Sequence, residues 1–97
     1  MTEHKEWLND WLQNTDNAAA YIEAAIDEGD NQGILTALRN VAEAKGGLAK
    51  VADLTGLSRE TLYRTLSKNG NPQLNSLTAI LQATGLRLSV KPLEQAV

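Results

Sequence analysis

The chain has no cysteine and only one histidine, His4. The absence of thiols excludes disulfides, zinc sites built on thiolates and cysteine nucleophiles, and it favours a reducing compartment. The longest apolar run, residues 18–22, is far shorter than the roughly 20 residues that cross a bilayer. The sequence does not begin with a basic and then apolar leader, so we expect a cytoplasmic protein without a membrane segment.

Catalytic patterns are also missing. His4 has no thiol with which to share a metal ion, and the segment KGGLAK lacks the G-x-x-x-x-G-K-[ST] spacing of a phosphate-binding loop. No general base or nucleophile is placed beside the carboxylates of the DEGD segment. The sequence therefore predicts a protein that is not an enzyme and that uses no metal or cofactor.

Length and charge point instead to a small binding protein. A chain of 97 residues, 42% apolar and 22% charged, is expected to form one globular domain and to gain stability from oligomerisation. The net charge of -3 is unevenly distributed. Residues 1–46 have nine acidic and three basic side chains, whereas residues 47–97 have three acidic and six basic ones. Two oppositely charged halves suggest two kinds of partner.

Apolar residues at helical spacing predict helices along most of the chain. Three stripes lie within residues 7–12, 21–26 and 34–42, and Gly29 is expected to end the second of these helices. A short helix then begins near residue 48, and another begins after residue 73 and ends at Gly85.

The C-terminal segment has a different period. Leu86, Leu88 and Val90 alternate with polar residues, which predicts a strand over residues 86–91. Because the sequence contains no second strand, we expect this one to pair with a copy of itself or with the sheet edge of another protein.

Residues 48–66 fit a helix-turn-helix motif, in which two short helices cross at a tight turn. Ala52 is a small residue at the expected crossing, and Gly56 lies in the turn. Val51, Leu57 and Leu62 supply the apolar seam between the two helices.

The second helix of this motif is expected to start at a Ser58 cap and to extend to about Lys68. Successive side chains of a helix are rotated by about 100° about its axis. If Leu62 is buried, the side chains that face solvent are therefore those of Arg59, Glu60, Tyr63, Arg64, Ser67 and Lys68. Such a face suits the major groove of DNA. The alternative is an ordinary solvated surface, but the helix-turn-helix context favours DNA contact.

Two of these side chains have alternative roles. Glu60 either accepts a hydrogen bond from cytosine N4 or pairs with Arg64 four residues on. Tyr63 either contacts nucleic acid or packs beside Leu66.

The segment VADLTGLSRETLYRTLSKNGNPQLNSLTAILQATGL resembles the Xre or lambda-repressor-like helix-turn-helix. The longer run from Ala18 to Val90 resembles the addiction-module antidote proteins, or HigA-type antitoxins, above all in GLSRETLYRTLS, GNP and GLRLSV. The resemblance implies an all-α fold: a lambda-repressor-like five-helix DNA-binding domain with an N-terminal helical extension and a short C-terminal β-strand that pairs between chains. Residues 1–29 would form the acidic extension, 30–85 the Xre-like domain with its helix-turn-helix at 48–67, and 86–97 the strand and tail.

The resemblance also implies a function, that of the antitoxin of a type II toxin-antitoxin system. Such a protein is a homodimer that represses its own operon at a palindromic operator in double-stranded DNA and neutralises a RelE/ParE-like toxin by binding it. The DNA-binding residues would be Lys50, Ser58, Arg59, Glu60, Tyr63, Arg64, Ser67, Lys68 and Asn75. Apart from the resemblance, we expect dimer or partner contacts at Trp7, Trp11, Leu86, Leu88 and Val90. The alternative for the two tryptophans is packing in the core, which is common for aromatic residues at helical spacing, whereas their enrichment at interface hot spots favours contact with a partner.

Two other functions stay open at this point. The chain could be a stand-alone Xre-family repressor of the phage type, or an interaction module that has kept the scaffold without binding DNA. The sequence also departs from the general repressor pattern at Thr55 and Thr65, where apolar residues are common. These threonines either loosen the seam or form hydroxyl-to-backbone hydrogen bonds.

Overall fold

The computed structural model describes residues 2–94, with side chains described from residue 5 onward. This part of the chain is all-helical: α1 (Thr2–Trp11), α2 (Thr15–Glu28), α3 (Asn31–Ala44), α4 (Leu48–Thr55), α5 (Arg59–Thr65) and α6 (Leu74–Ala83). The helices predicted from apolar periodicity are confirmed. The last two end slightly earlier than predicted. Four of the six lie between residues 30 and 85, so the five-helix domain expected there is not confirmed.

Polar caps and a left-handed glycine set the ends of α2 and α3. The side chain of Asn14 accepts a hydrogen bond from the Asn17 N–H at 3.0 Å, and that of Asp30 accepts one from the Gln32 N–H at 3.1 Å. These side chains satisfy N–H groups that have no partner within the first turn of a helix. Gly29 ends α2 with φ of 77°, as predicted, so that α3 turns back and packs along α2.

The core is centred on α3, which buries six residues of its own: Leu35, Ala37, Leu38, Val41, Ala42 and Ala44. Around this helix, the N-terminal part of the chain contributes Leu12 and Ile22, and α4 to α6 contribute Val51, Leu62 and Ile80 among others. Helices from both charged halves of the chain therefore share one hydrophobic core.

The turn between α1 and α2 is fastened to the end of α3. The side-chain amide of Gln13 donates a hydrogen bond to the Ala44 carbonyl at 2.7 Å. In the other direction, Lys45 Nζ donates to the Gln13 carbonyl at 2.6 Å and to Thr15 Oγ1 at 3.2 Å. These bonds join residues about 30 positions apart and hold the first two helices against the rest of the domain.

The predicted strand over residues 86–91 is not confirmed, because residues 2–94 contain helices and no strand. Gly85 adopts φ of 84° after α6, and the Leu86 N–H donates to the Leu81 carbonyl at 2.8 Å. Leu86 then packs against the core of its own chain. A strand needs a neighbouring strand for its backbone hydrogen bonds, so pairing of this segment between chains stays a prediction.

Two features are absent from the described residues. No helix among them is both long and apolar enough to cross a membrane. The same residues contain no cluster of three or more histidine, aspartate or glutamate side chains that could hold a metal ion.

Candidate nucleic-acid interface

Three residues, 56–58, join α4 to α5. Gly56 ends α4 with φ of 78°, and its N–H donates to the Ala52 carbonyl at 2.9 Å. This left-handed conformation favours glycine, since other residues are strained there. The Ser58 Oγ accepts from the Thr61 N–H at 3.0 Å and donates to the Thr61 hydroxyl at 2.8 Å. The predicted helix break at Gly56 and the predicted cap at Ser58 are both confirmed.

The hydroxyl of Thr55 connects the end of α4 to this turn. It donates to the Val51 carbonyl at 2.8 Å and accepts a hydrogen bond from the Leu57 N–H at 3.2 Å. Of the two alternatives for this threonine, hydroxyl-to-backbone bonding is therefore confirmed.

Apolar contacts fix how α5 lies on the domain. Leu62 and Val51 are completely buried, Ala52 is nearly so, and Leu57 packs against the same cluster. Because Leu62 lies in the middle of α5, its burial leaves the opposite face of that helix in solvent.

The exposed face of α5 brings most of the predicted DNA-binding residues together. Arg59, Glu60 and Arg64 are exposed, and half of the Tyr63 side-chain surface is accessible. Lys68 is exposed just beyond the end of the helix. Within the described chain no ion pair joins Glu60 to Arg64, so both side chains are available for contacts with a partner.

The other predicted DNA-binding residues lie around this face. Lys50 is exposed on α4, and Asn75 is exposed in the first turn of α6. The two serines already have partners inside the chain, because Ser58 caps α5 and the half-buried Ser67 donates to the Arg64 carbonyl at 2.8 Å. Their hydroxyls therefore help to shape the end turns of α5.

Sequence reasoning missed Arg39, which it grouped with the acidic half of the chain. This residue belongs to α3, yet its guanidinium carbon lies 5.8 Å from the centroid of the Tyr63 ring. Its Nε is also 3.6 Å from a carboxylate oxygen of Glu43, one turn along α3. Arg39 and Tyr63 are 24 positions apart in the sequence. Neither apolar periodicity nor the spacing of the helix-turn-helix motif relates these two residues.

A groove separates α3 from the end of α5 and has a volume of about 360 Å³. Leu35 and Leu66, both buried core residues, form its apolar part. Its polar part contains Arg39 and Lys68 together with neutral groups, and no carboxylate lines it. The groove is therefore an electropositive continuation of the exposed α5 face.

The predicted dimer or partner contacts are divided among different environments. Trp7 and Trp11 stack with their ring centroids 6.0 Å apart, and Trp11 meets the ring of Tyr21 edge-on at 6.4 Å. Leu88 is 45% exposed and Val90 is 96% exposed. Leu86 is half-buried and packs against the core.

An ion pair holds the C-terminal segment against the acidic helix α2. Lys91 Nζ lies 3.1 Å from Glu23 Oε2. The hydrogen bond to Glu23 and the charge of that carboxylate, assisted by Asp27 and Glu94, raise the pKa of Lys91 above its ordinary value. The acidic side chains of α2 thus lie close enough to the C-terminal segment for one of them to pair with its lysine.

One comparison with known proteins identifies a family. A family model described as "Probable addiction module antidote protein" matches residues 4–92. An uncharacterized protein of Haemophilus influenzae is 30% identical over 80 residues, which cover 82% of this chain and 81% of that protein. No solved structure matches the chain.

Proposed function

Because this chain belongs to the family of probable addiction module antidote proteins, we propose that it is a DNA-binding antitoxin. It acts in the cytoplasm as a homodimer, represses its own operon and neutralises a RelE/ParE-like toxin by binding it. The family description indicates a regulatory protein rather than an enzyme. The observation that carries the DNA-binding part is the exposed face of α5, held outward by the burial of Leu62.

The side chains of α5 have the chemistry needed to read DNA. Arg59 and Arg64 can donate two hydrogen bonds to guanine, whereas Glu60 can accept one from cytosine. Lys50 and Lys68, at the edges of this face, are suited to phosphate contacts that position the protein without reading sequence. In a homodimer, two such helices would fit successive half-sites about 34 Å apart on a palindromic operator.

The acidic first half of the chain supports the toxin-binding part of the proposal. Helix α2 has acidic residues at Asp16, Glu23, Asp27 and Glu28 and no basic residue. Such a surface is complementary to a basic protein, and electrostatic complementarity speeds association and disfavours wrong partners. Trp7 and Trp11 add aromatic surface of the kind enriched at interface hot spots.

The DNA-binding part is tested by titrating the full chain with duplex DNA from upstream of its own gene and with a scrambled duplex. Arg64→Ala should weaken binding to the upstream duplex by about 1–3 kcal/mol, with a smaller loss on the scrambled duplex. Lys68→Ala should lower the slope of log affinity against log salt by about one unit. The control is Lys5→Ala, which removes an exposed cation of α1. If the unaltered protein binds neither duplex, the DNA-binding part is wrong.

The toxin-binding part is tested by co-purification. The tagged chain is expressed together with the product of the neighbouring reading frame, and the complex is washed at moderate salt. A stoichiometric small basic protein that stays bound supports the proposal. Recovery of the homodimer alone, from cells that demonstrably make the neighbour, would favour a stand-alone repressor.

A further inference from the structure

Arg39 is the basic side chain through which α3 reaches the candidate DNA surface. Its guanidinium lies over the ring of Tyr63, within the distance of about 6 Å at which a cation is attracted to an aromatic face. Because Tyr63 belongs to the exposed face of α5, this contact places the charge of Arg39 at the side of that helix.

The existing partner of Arg39 holds it only weakly. Glu43 approaches the Nε atom alone, at 3.6 Å, and the Arg39 side chain is 41% exposed. The terminal guanidinium nitrogens of Arg39 donate no hydrogen bond to any group in the described residues. The outer edge of the guanidinium, which can donate two parallel hydrogen bonds, is therefore available to an anion.

The groove beside Arg39 favours an anion as that partner. Lys68 and Ser67 lie on its other side, on the segment that follows α5, and no carboxylate lines it. A helix in the major groove has the sugar-phosphate backbone along its flanks, where side chains from neighbouring helices reach phosphates rather than base edges. The position of Arg39 on α3, beside α5, corresponds to that flank.

We propose that Arg39 binds a DNA phosphate beside α5 while its guanidinium stays stacked on Tyr63. The inference rests on the proposed DNA-binding function and extends it to a helix outside residues 48–67. Because the contact is to backbone, it adds affinity for any duplex and does not by itself select a sequence.

Three single substitutions in the full chain test the role of Arg39. Arg39→Ala should weaken binding by about tenfold at low salt, equally on the upstream and scrambled duplexes, and should lower the salt slope by about one unit. Glu43→Gln removes the competing carboxylate and should strengthen binding. Lys5→Ala is the matched control, because Lys5 pairs with the same Glu43 carboxylate at 3.9 Å but lies on α1. It should leave both affinity and slope unchanged.

The outcomes separate this inference from the proposed function. If the unaltered chain binds no duplex, the proposed DNA-binding function fails, and the phosphate contact fails with it. If the chain binds and Arg39→Ala changes neither affinity nor slope, the contact alone is overturned. A loss confined to the upstream duplex with an unchanged slope also overturns it, because Arg39 would then act only by positioning Tyr63. Circular dichroism of each variant, matching the unaltered chain, excludes unfolding as the cause.

Discussion

Replacing Thr55 by valine should destabilise the domain by about 1 kcal/mol, which is the typical net contribution of one hydrogen bond. The hydroxyl group donates to the Val51 carbonyl, with a longer contact to the Ala52 carbonyl, and accepts from the Leu57 N–H at 3.2 Å. Valine has a similar shape but removes the acceptor of the N–H of Leu57, the half-buried residue of the turn between α4 and α5. For a domain of this size, the loss corresponds to a decrease in Tm of about 4–8 °C.

Thr78→Val is the matched control for this experiment. The Thr78 hydroxyl also donates to a carbonyl four residues earlier, that of Leu74 at 3.0 Å, but in the described chain no backbone N–H donates to it. Its replacement should change stability by less than about 0.5 kcal/mol. Thr55→Ser, which keeps the hydroxyl, should recover most of the stability lost in Thr55→Val.

Urea and thermal unfolding followed by circular dichroism measure all three variants. Equal destabilisation by Thr55→Val and Thr78→Val would refute the reasoning, because the bond from the Leu57 N–H would then contribute nothing. Failure of Thr55→Ser to recover stability would refute it as well, since the loss would have to arise from packing.

Three other substitutions test separate features of the fold. Leu62→Ala should lower the free energy of unfolding by about 2–5 kcal/mol in urea titrations, whereas Leu54→Ala, at a side chain that is 59% exposed, should cost far less. Gly70→Ala should destabilise by about 1–3 kcal/mol, because its Cβ would collide with the Thr65 backbone carbonyl. Lys91→Ala should speed hydrogen exchange of the Leu86 amide, which donates to the Leu81 carbonyl at the start of the C-terminal segment. In the unaltered protein the ion pair should be lost only as the pH rises through the pKa of Lys91, which its hydrogen bond to Glu23 raises above the ordinary value.

The elements that local rules predicted correctly are those in which the signal is contained in a few neighbouring residues. Gly56 and Ser58 mark the turn between α4 and α5, because a left-handed glycine and a capping hydroxyl act on backbone groups at most four positions away. The buried seam of Val51 and Leu62 follows equally directly from helical spacing. The orientation of α5 could therefore be predicted from sequence.

The strand predicted over residues 86–91 illustrates the opposite case. Alternation of apolar and polar residues indicates which side chains would share a face of a strand, but hydrogen bonding to a neighbouring strand requires information from elsewhere. Leu86 packs against its own core directly after α6, and Lys91 pairs with Glu23, 68 residues earlier in the chain. Both contacts depend on how α2 and α6 come together, which the local pattern does not contain.

Arg39 shows why charge counted along the chain can misassign a surface. The first half of the sequence is acidic, but α3 crosses the centre of the fold and brings Arg39 to Tyr63 on α5. The same helix brings Glu43 between Arg39 at 3.6 Å and Lys5 at 3.9 Å. If Arg39 turns to a phosphate, it gives up a weak pair within one helix that contributes only about 0.3–0.5 kcal/mol. The cost of releasing Arg39 is therefore small relative to a charge-assisted hydrogen bond of about 1.5–3 kcal/mol, which is why we expect a phosphate to compete successfully with Glu43 for this side chain.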